Sequence, residues 1–253
     1  MKRKIRRERL VLVLLAAAVL ASSITACGED GELRKLFDIE SRISKGAPPR
    51  TTEEIKAAIA QYSEEAKRTV EATAKVGTYY ELLATRYMGM KMYGDAYDAL
   101  QSAIKHFPDA PGLYYNSGLS AAHLAKAEGA KGIAGTAERD KWLSASEAAY
   151  KRAIETKSTY GDALYGLSIL YSFELGRPAE AIPLLTRLVG IETKNADAMM
   201  LLGRCLYQED RLEEAAHWYE TAAQITVVPD KREAAKEARA TILSEIGGEG
   251  GLE

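Results

Sequence analysis

Cysteine and histidine, the residues that most often hold metals and carry nucleophilic chemistry, are nearly missing from this 253-residue chain, which has two cysteines and three histidines. The histidines, His106, His123 and His217, are far apart in sequence and show no metal-ligand spacing to a cysteine, to one another or to a paired carboxylate. A Gly-x-Ser-x-Gly elbow and a phosphate-binding glycine loop are missing too. These absences predict a protein that is not an enzyme and has no catalytic residues, no metal site and no cofactor.

Segments of alternating β-branched residues, which mark strands, are almost absent as well. Phenylalanine occurs only three times, whereas alanine is frequent and tyrosine occurs fourteen times. Alanine lets helices approach closely, and larger side chains fill the gaps beside it. The composition therefore predicts an all-α fold of closely packed helices.

The N-terminal segment is basic first and then apolar. Six lysines and arginines precede residue 10, an apolar run covers residues 10–20, and small or weakly polar residues follow as far as Ala26. As a helix the apolar run would rise about 16 Å, too little to cross a hydrocarbon core of about 30 Å. Residues 1–26 are therefore predicted to be a signal peptide that is removed from the mature protein.

The end of this segment, Ile24-Thr25-Ala26-Cys27, resembles the lipobox of bacterial lipoproteins. The resemblance implies cleavage before Cys27, a diacylglycerol on its sulfur and an acyl chain such as palmitate on its nitrogen; an ordinary secretory peptide with an incidental cysteine is the alternative. Two or three acyl chains would anchor the protein in a membrane, facing the periplasm or the cell exterior. Gly28 replaces the aspartate that retains lipoproteins in the inner membrane of enteric bacteria, which favours the outer membrane.

Acidic residues outnumber basic ones once this segment is removed. It holds six of the 34 lysines and arginines and one of the 36 aspartates and glutamates, which leaves 28 basic and 35 acidic residues and a formal charge of −7. This balance argues against nucleic acid as a partner. Cys205 is the one other cysteine, so no internal disulfide forms if Cys27 is lipidated, and its thiol is interpreted as buried and inert.

A pattern of small and large apolar residues recurs with a period near 34 between about residues 78 and 229. Within each half of a copy the spacings of three, four and seven place these residues on one helix face. The clearest copy contains Tyr80, Leu83, Ala84 and Tyr87, then Gly94, Ala96, Leu100, Ala103 and Pro108. The pattern resembles the tetratricopeptide repeat, with copies at about residues 77–110, 111–160, 161–195 and 196–229.

The resemblance implies an α-solenoid of antiparallel helix pairs, here with capping helices at both ends of a domain covering residues 51–246. A capping box at Thr51 predicts a first helix over about residues 52–75, with an apolar stripe of Ile55, Ala58, Ile59, Tyr62 and Ala66. Pro229 predicts a last helix over residues 229–246, with a buried face of Ala234, Ala235, Ala238, Ile242 and Leu243. Residues 27–50 are expected to form a tether, and residues 247–253 a disordered tail. The second copy is about 16 residues longer than the others, so its helices are predicted to form a longer, protruding hairpin. The first helix is expected to run to about Lys126 and the second to start near Thr136.

In tetratricopeptide stacks the first helix of each repeat lines a concave groove, and matching positions here give an aromatic and aliphatic surface. Asn116 matches a position that holds a ligand's backbone in some family members, and Asp162 lies at the start of the third copy's stripe. The predicted binding residues are Tyr115, Asn116, Leu119, His123, Tyr165, Ile169, Phe173, Met200, Arg204 and Tyr207. Packing of the tyrosines on one another is the alternative interpretation.

These observations predict a membrane-anchored, extracytoplasmic tetratricopeptide lipoprotein that binds a protein or peptide segment of a cell-envelope assembly without catalysis. It is similar to repeat lipoproteins that serve envelope machines, and a protein partner is favoured over a small ligand. The alternative function is an accessory subunit of a periplasmic solute transporter, with an apolar small molecule in the groove.

Overall fold

The computed structural model of the protein describes residues 51–249, without the side chains of residues 133, 134, 248 and 249. The chain divides into two compact units, residues 1–67 and 68–253. The predicted signal peptide, the lipidation site at Cys27 and the tether lie outside the described residues. Within residues 51–249 no helix combines the length and the apolar character needed to cross a bilayer.

The described part of the first unit is the start of helix α1, Thr52–Gly89. The predicted capping box is present, since Glu54 N–H donates to Thr51 Oγ1 at 3.2 Å and Thr51 N–H donates to Glu54 Oε2 at 3.1 Å. The predicted apolar stripe is exposed, with Ile59 60% accessible.

Helix α1 does not end near residue 75, so that prediction is wrong. Gly77 lies inside the helix and is buried. A Cβ there would lie 2.6 Å from both His106 and Phe107, so the missing side chain is needed for close packing rather than for a turn.

The second unit contains the remaining helices, and the described residues form no strand. After α1 come α2 Tyr93–His106, α3 Pro111–Gly129, α4 Thr136–Thr156, α5 Gly161–Ile169, α6 Pro178–Ile191, α7 Ala196–Gln208, α8 Leu212–Ile225 and α9 Pro229–Glu249. Short turns join them, so consecutive helices run antiparallel, and each helix from α2 to α8 packs on its successor. The predicted all-α solenoid of helix pairs is confirmed.

The helix ends follow local rules that the sequence contains. Proline occupies the first position of α3, α6 and α9, where its missing N–H costs no hydrogen bond. Asn195 caps α7 by accepting a 3.0 Å hydrogen bond from the Ala198 N–H. Three turn residues, Lys91, Gly176 and Asp210, adopt positive φ near 60°, which reverses the chain between paired helices.

The longer second pair begins and ends its helices close to the predicted residues. Helix α3 reaches Gly129, a 3₁₀ turn covers Gly132–Gly135, and α4 starts at the predicted Thr136. The hairpin is not a free projection, because Ala125 and Leu143 are 1% and 3% exposed. Glu174 accepts a 2.9 Å hydrogen bond from Arg139 of the hairpin, so this end of the second pair is held to the third.

The C-terminal helix α9 differs from its prediction in two respects. Of the five residues predicted to face the stack, Ala235 and Ile242 are buried and Ala238 is half-buried, whereas Ala234 and Leu243 are exposed, so the packed face is narrower than predicted. The helix also extends to Glu249, so the prediction of a disordered tail is wrong for residues 247–249. The rest of that tail lies outside the described residues.

We expect Gly203→Leu to destabilise the protein by about 1–3 kcal/mol relative to Gly190→Leu, because it overpacks a helix crossing. A Cβ on Gly203 would lie 3.0 Å from the ring of Tyr219, whereas nothing lies within 4 Å of a Cβ on Gly190. Both positions are in helices, so the gain in helix propensity is shared and cancels in the comparison. Urea unfolding followed by circular dichroism measures the difference, and equal midpoints for the two variants would contradict the packing argument.

Candidate binding groove

A cavity of about 360 Å³ lies between α3 and α5, the first helices of the second and third pairs. Five of the ten predicted binding residues line it: Tyr115, Leu119, His123, Tyr165 and Ile169. They come from equivalent faces of two helices about 50 residues apart in sequence, so the solenoid brings together side chains that local spacing alone could not join. The volume is in the range of small-molecule and peptide-side-chain pockets, roughly 300–1,000 Å³.

Tyr150 of α4 is part of the cavity wall, a role that the sequence analysis missed. Its ring is 3% exposed and lies between two glycines of the neighbouring helices. A Cβ on Gly118 of α3 would lie 2.8 Å from this ring, and a Cβ on Gly166 of α5 would lie 2.9 Å from it. The sequence did contain a signal for this contact. Gly203 contacts the ring of Tyr219, which is 16 residues further along the chain. Gly118 and Tyr150 are the matching residues of the second pair, and they are about 16 residues further apart because that pair is longer.

Tyrosine rings form the end of the cavity nearest the start of α5. The Tyr115 ring centroid lies 6.0 Å from that of Tyr150 and 5.8 Å from that of Tyr160, the latter edge to face. Burial raises the pKa of both Tyr115 and Tyr160, and the negative charge of Asp162 raises it further. These phenols are therefore protonated at neutral pH and can donate hydrogen bonds to a ligand.

The charged groups of the cavity are placed at its two ends. Asp162 lines one end, and Lys126 and Glu174 line the other. Glu174 is paired with Arg139, whereas neither Asp162 nor Lys126 forms an ion pair within the described residues. The cavity thus combines apolar and aromatic walls with one unpaired carboxylate and one unpaired ammonium among the described residues.

His123 stacks on a tyrosine ring beside the cavity. Its imidazole lies 4.0 Å from the ring of Tyr93, centroid to centroid, at an interplanar angle of 11°. Burial, and then the charges of Lys126 and Lys91, lower its pKa, so the ring is neutral at pH 7.

Phe173 does not line the cavity, and the reason is a local change in helix type. The last turn of α5 continues as a π-helical turn, Leu170–Glu174, in which the Leu175 N–H donates to the Leu170 carbonyl at 3.0 Å. In an α-helix the residue four positions after Ile169 would share its face. The wider turn places Glu174 there instead, and Phe173 is 50% exposed with the Arg204 guanidinium 4.5 Å from its ring centroid.

The other predicted residues also lie outside the cavity. Asn116 is half-buried on α3 without lining it, and Met200 packs against the main core. Tyr207 of α7 donates a 2.9 Å hydrogen bond to Glu245 of α9. This hydrogen bond ties Tyr207 to α9, although the side chain is 39% exposed.

Cys205 is fully buried, with its sulfur 3.0 Å from Ser172 Oγ. Burial raises the pKa of its thiol, so the thiolate that redox or metal chemistry needs is disfavoured. In the part of the chain that the structure describes, no three histidine, cysteine, aspartate or glutamate side chains come together as a metal site.

Comparison with known proteins agrees with this architecture. The profile of the tetratricopeptide repeat matches residues 172–240, which contain α6, α7, α8 and the first part of α9. No curated protein matches the chain. Among solved structures, YrrB, described as a tetratricopeptide-repeat protein with an unusual peptide-binding site, is 16% identical with a TM-score of 0.55, over 72% of this chain and 83% of YrrB.

Two further structures have the same helical arrangement. A thermophilic tetratricopeptide-repeat protein of Thermus thermophilus is 17% identical with a TM-score of 0.52, over 68% of this chain and 86% of that protein. MamA is 16% identical with a TM-score of 0.51, over 71% of this chain and 96% of MamA. Identities this low show a shared fold and not a shared ligand. Residues 172–240 thus match the tetratricopeptide repeat, and the paired helices of the described chain have the fold of tetratricopeptide-repeat proteins.

Proposed function

We propose that this protein is a membrane-anchored lipoprotein, exposed outside the cytoplasm, that binds an extended peptide segment of a cell-envelope protein in the groove between α3 and α5. The observation that carries the proposal is the cavity itself. Two successive first helices supply its tyrosine and aliphatic walls, and polar groups converge on it from both ends.

A peptide fits these walls better than a rigid apolar molecule. Tyrosine side chains offer broad apolar faces and hydroxyl donors, which suit a chain of alternating side chains and amides. The tetratricopeptide fold supports a role as a protein-binding scaffold, and proteins of this fold are typically interaction modules rather than enzymes. YrrB, which shares the fold, has a peptide-binding site.

The anchoring part of the proposal is supported by the sequence alone. Residues 1–26 have the charge and length of a signal peptide, and Cys27 follows the lipobox-like residues. The partner would therefore belong to the cell envelope, with the outer membrane favoured by Gly28. An apolar small ligand of a solute transporter is the alternative, and the charges of Asp162 and Lys126 in the cavity favour the peptide over it.

The variant Ile169→Glu tests the groove, because it adds a charge to the apolar wall at a side chain that is 37% exposed. Ile191→Glu is its matched control, since Ile191 is 44% exposed and lies outside the cavity. We expect Ile169→Glu to lower the recovery of cross-linked envelope proteins by about tenfold or more, as for loss of a central interface residue.

Cross-linked membranes from cells producing each full-length variant would be analysed by mass spectrometry, with thermal unfolding as a check on folding. Equal recovery of every partner by the two variants would place the binding surface elsewhere. Recovery of lipophilic small molecules with no protein partner would favour the transporter alternative.

A further inference from the structure

The third helix pair contains a carboxylate that none of the described basic side chains neutralises. Asp162 is the second residue of α5 and lines the cavity, and no described residue donates a hydrogen bond or forms an ion pair with its side chain. Its neighbour in the next pair is different. Asp197, the second residue of α7, receives two hydrogen bonds from the Lys231 ammonium, at 2.6 and 2.7 Å.

The next helix pair therefore shows how a carboxylate at this helix position is neutralised by a lysine. Lys231 follows Asp197 by 34 residues and lies on α9, the helix that comes after the last helix pair. The residue 34 positions after Asp162 is Ala196, which has no charge to offer. The solenoid repeats the aspartate but supplies the lysine only at its C-terminal end, so among the described residues the carboxylate of Asp162 is left open to a cation of a ligand.

The surroundings of Asp162 favour a cation in three ways. The carboxylate of Glu192 lies against Gly161, the residue before Asp162, and adds a second negative charge. The rings of Tyr115 and Tyr165 line the same cavity and can contact a cation through their faces. Lys126 is eleven residues beyond Tyr115 on α3, a rise of about 16 Å, too far to neutralise this end.

One described cation does lie near this end. The Lys157 ammonium is 5.8 Å from the centroid of the Tyr160 ring, yet it forms no ion pair with Asp162. The carboxylate thus stays available to a ligand.

We propose that the groove selects a lysine side chain of its bound peptide, with the ammonium held by Asp162 and the stem packed between Tyr115 and Tyr165. The inference rests on the proposed peptide-binding function of this groove and names the side chain that the groove recognises. The formal charge of −7 on residues 27–253 would also draw a basic segment towards the protein.

The probe is a set of fluorescein-labelled decapeptide mixtures, with a fixed central residue and flanking positions randomised among alanine, leucine, serine and tyrosine. The central residue is lysine in one mixture and norleucine in another, because norleucine has nearly the same stem without the ammonium. Fluorescence anisotropy with the protein lacking residues 1–26 and with Cys27→Ser measures the affinities at low salt. We expect the lysine mixture to bind about tenfold more tightly, the size of a charge-assisted hydrogen bond with a cation–π contact.

Two variants assign the preference to its residue. Asp162→Asn should remove it, whereas Asp197→Asn, an equivalent change at a carboxylate already held by Lys231, should leave it intact. Both side chains are exposed, and thermal unfolding verifies that both variants are folded.

The remaining outcomes separate the two proposals. Equal affinity for both mixtures, with binding that Ile169→Glu abolishes, would overturn lysine selection and leave the peptide groove standing. Preference for lysine that survives Asp162→Asn would overturn the role of this aspartate. Binding by neither mixture would overturn lysine selection together with the peptide function.

Discussion

Replacing Tyr150 by alanine is expected to destabilise the protein by about 3–5 kcal/mol, the cost of deleting a large buried aromatic side chain. The ring is 3% exposed and is enclosed by Gly118 and Gly166, whose missing side chains fit its two sides. Glycine cannot move a side chain into the space that the ring leaves. The cavity would therefore stay open, and the contact between the second and third helix pairs would weaken.

Urea unfolding followed by circular dichroism measures this loss, and two variants act as controls. Tyr79→Ala removes a ring that is 68% exposed and should change the midpoint little. Tyr150→Phe keeps the ring and should retain most of the stability. If Tyr150→Ala were no worse than Tyr79→Ala, the ring would not be the packing element between the two pairs.

Changing Cys27 to serine is expected to remove the protein from membranes altogether, or to leave it as an uncleaved precursor. A serine cannot carry the thioether-linked diacylglycerol that the lipobox-like sequence implies. Two or three acyl chains account for all of the anchoring in this proposal, because each buried methylene contributes about 0.8 kcal/mol. The described helices offer no membrane-spanning replacement.

Fractionation of cells producing the full-length chain, followed by mass spectrometry of the mature N-terminus, measures this effect. Cys205→Ala is the matched control: it removes the other cysteine, which is buried, and should stay with the membrane. A wild-type chain that begins at another residue, or that carries an unmodified Cys27, would overturn the lipoprotein proposal.

The sequence by itself determined the helices and most of their ends. Pro111, Pro178 and Pro229 start α3, α6 and α9, and Thr136 starts α4 where the apolar pattern resumes. The period near 34 also fixed the pairing of helices. All of these signals are local, because capping, proline geometry and the 3.6-residue period act over one or two turns. Tyr115 and Tyr165 could be assigned to one groove because the repeat carries the same face from one copy to the next.

Only the tertiary structure decided which of those faces stay open. Helix α1 runs through Gly77, and this position packs against Phe107, a partner 30 residues away that local spacing does not reveal. Glu174 replaces Phe173 in the cavity because one wider turn rotates every residue after it.

Tyr207 donates a hydrogen bond to Glu245 of α9, whereas the carboxylate of Asp162 has no partner among the described residues, although both residues were predicted on the same groove. The physical reason is that a helix face is assigned by spacing within about ten residues, whereas its exposure depends on whichever helix packs next to it. In a solenoid that neighbour comes about 34 residues later, and it differs at the last copy, where the capping helix takes its place.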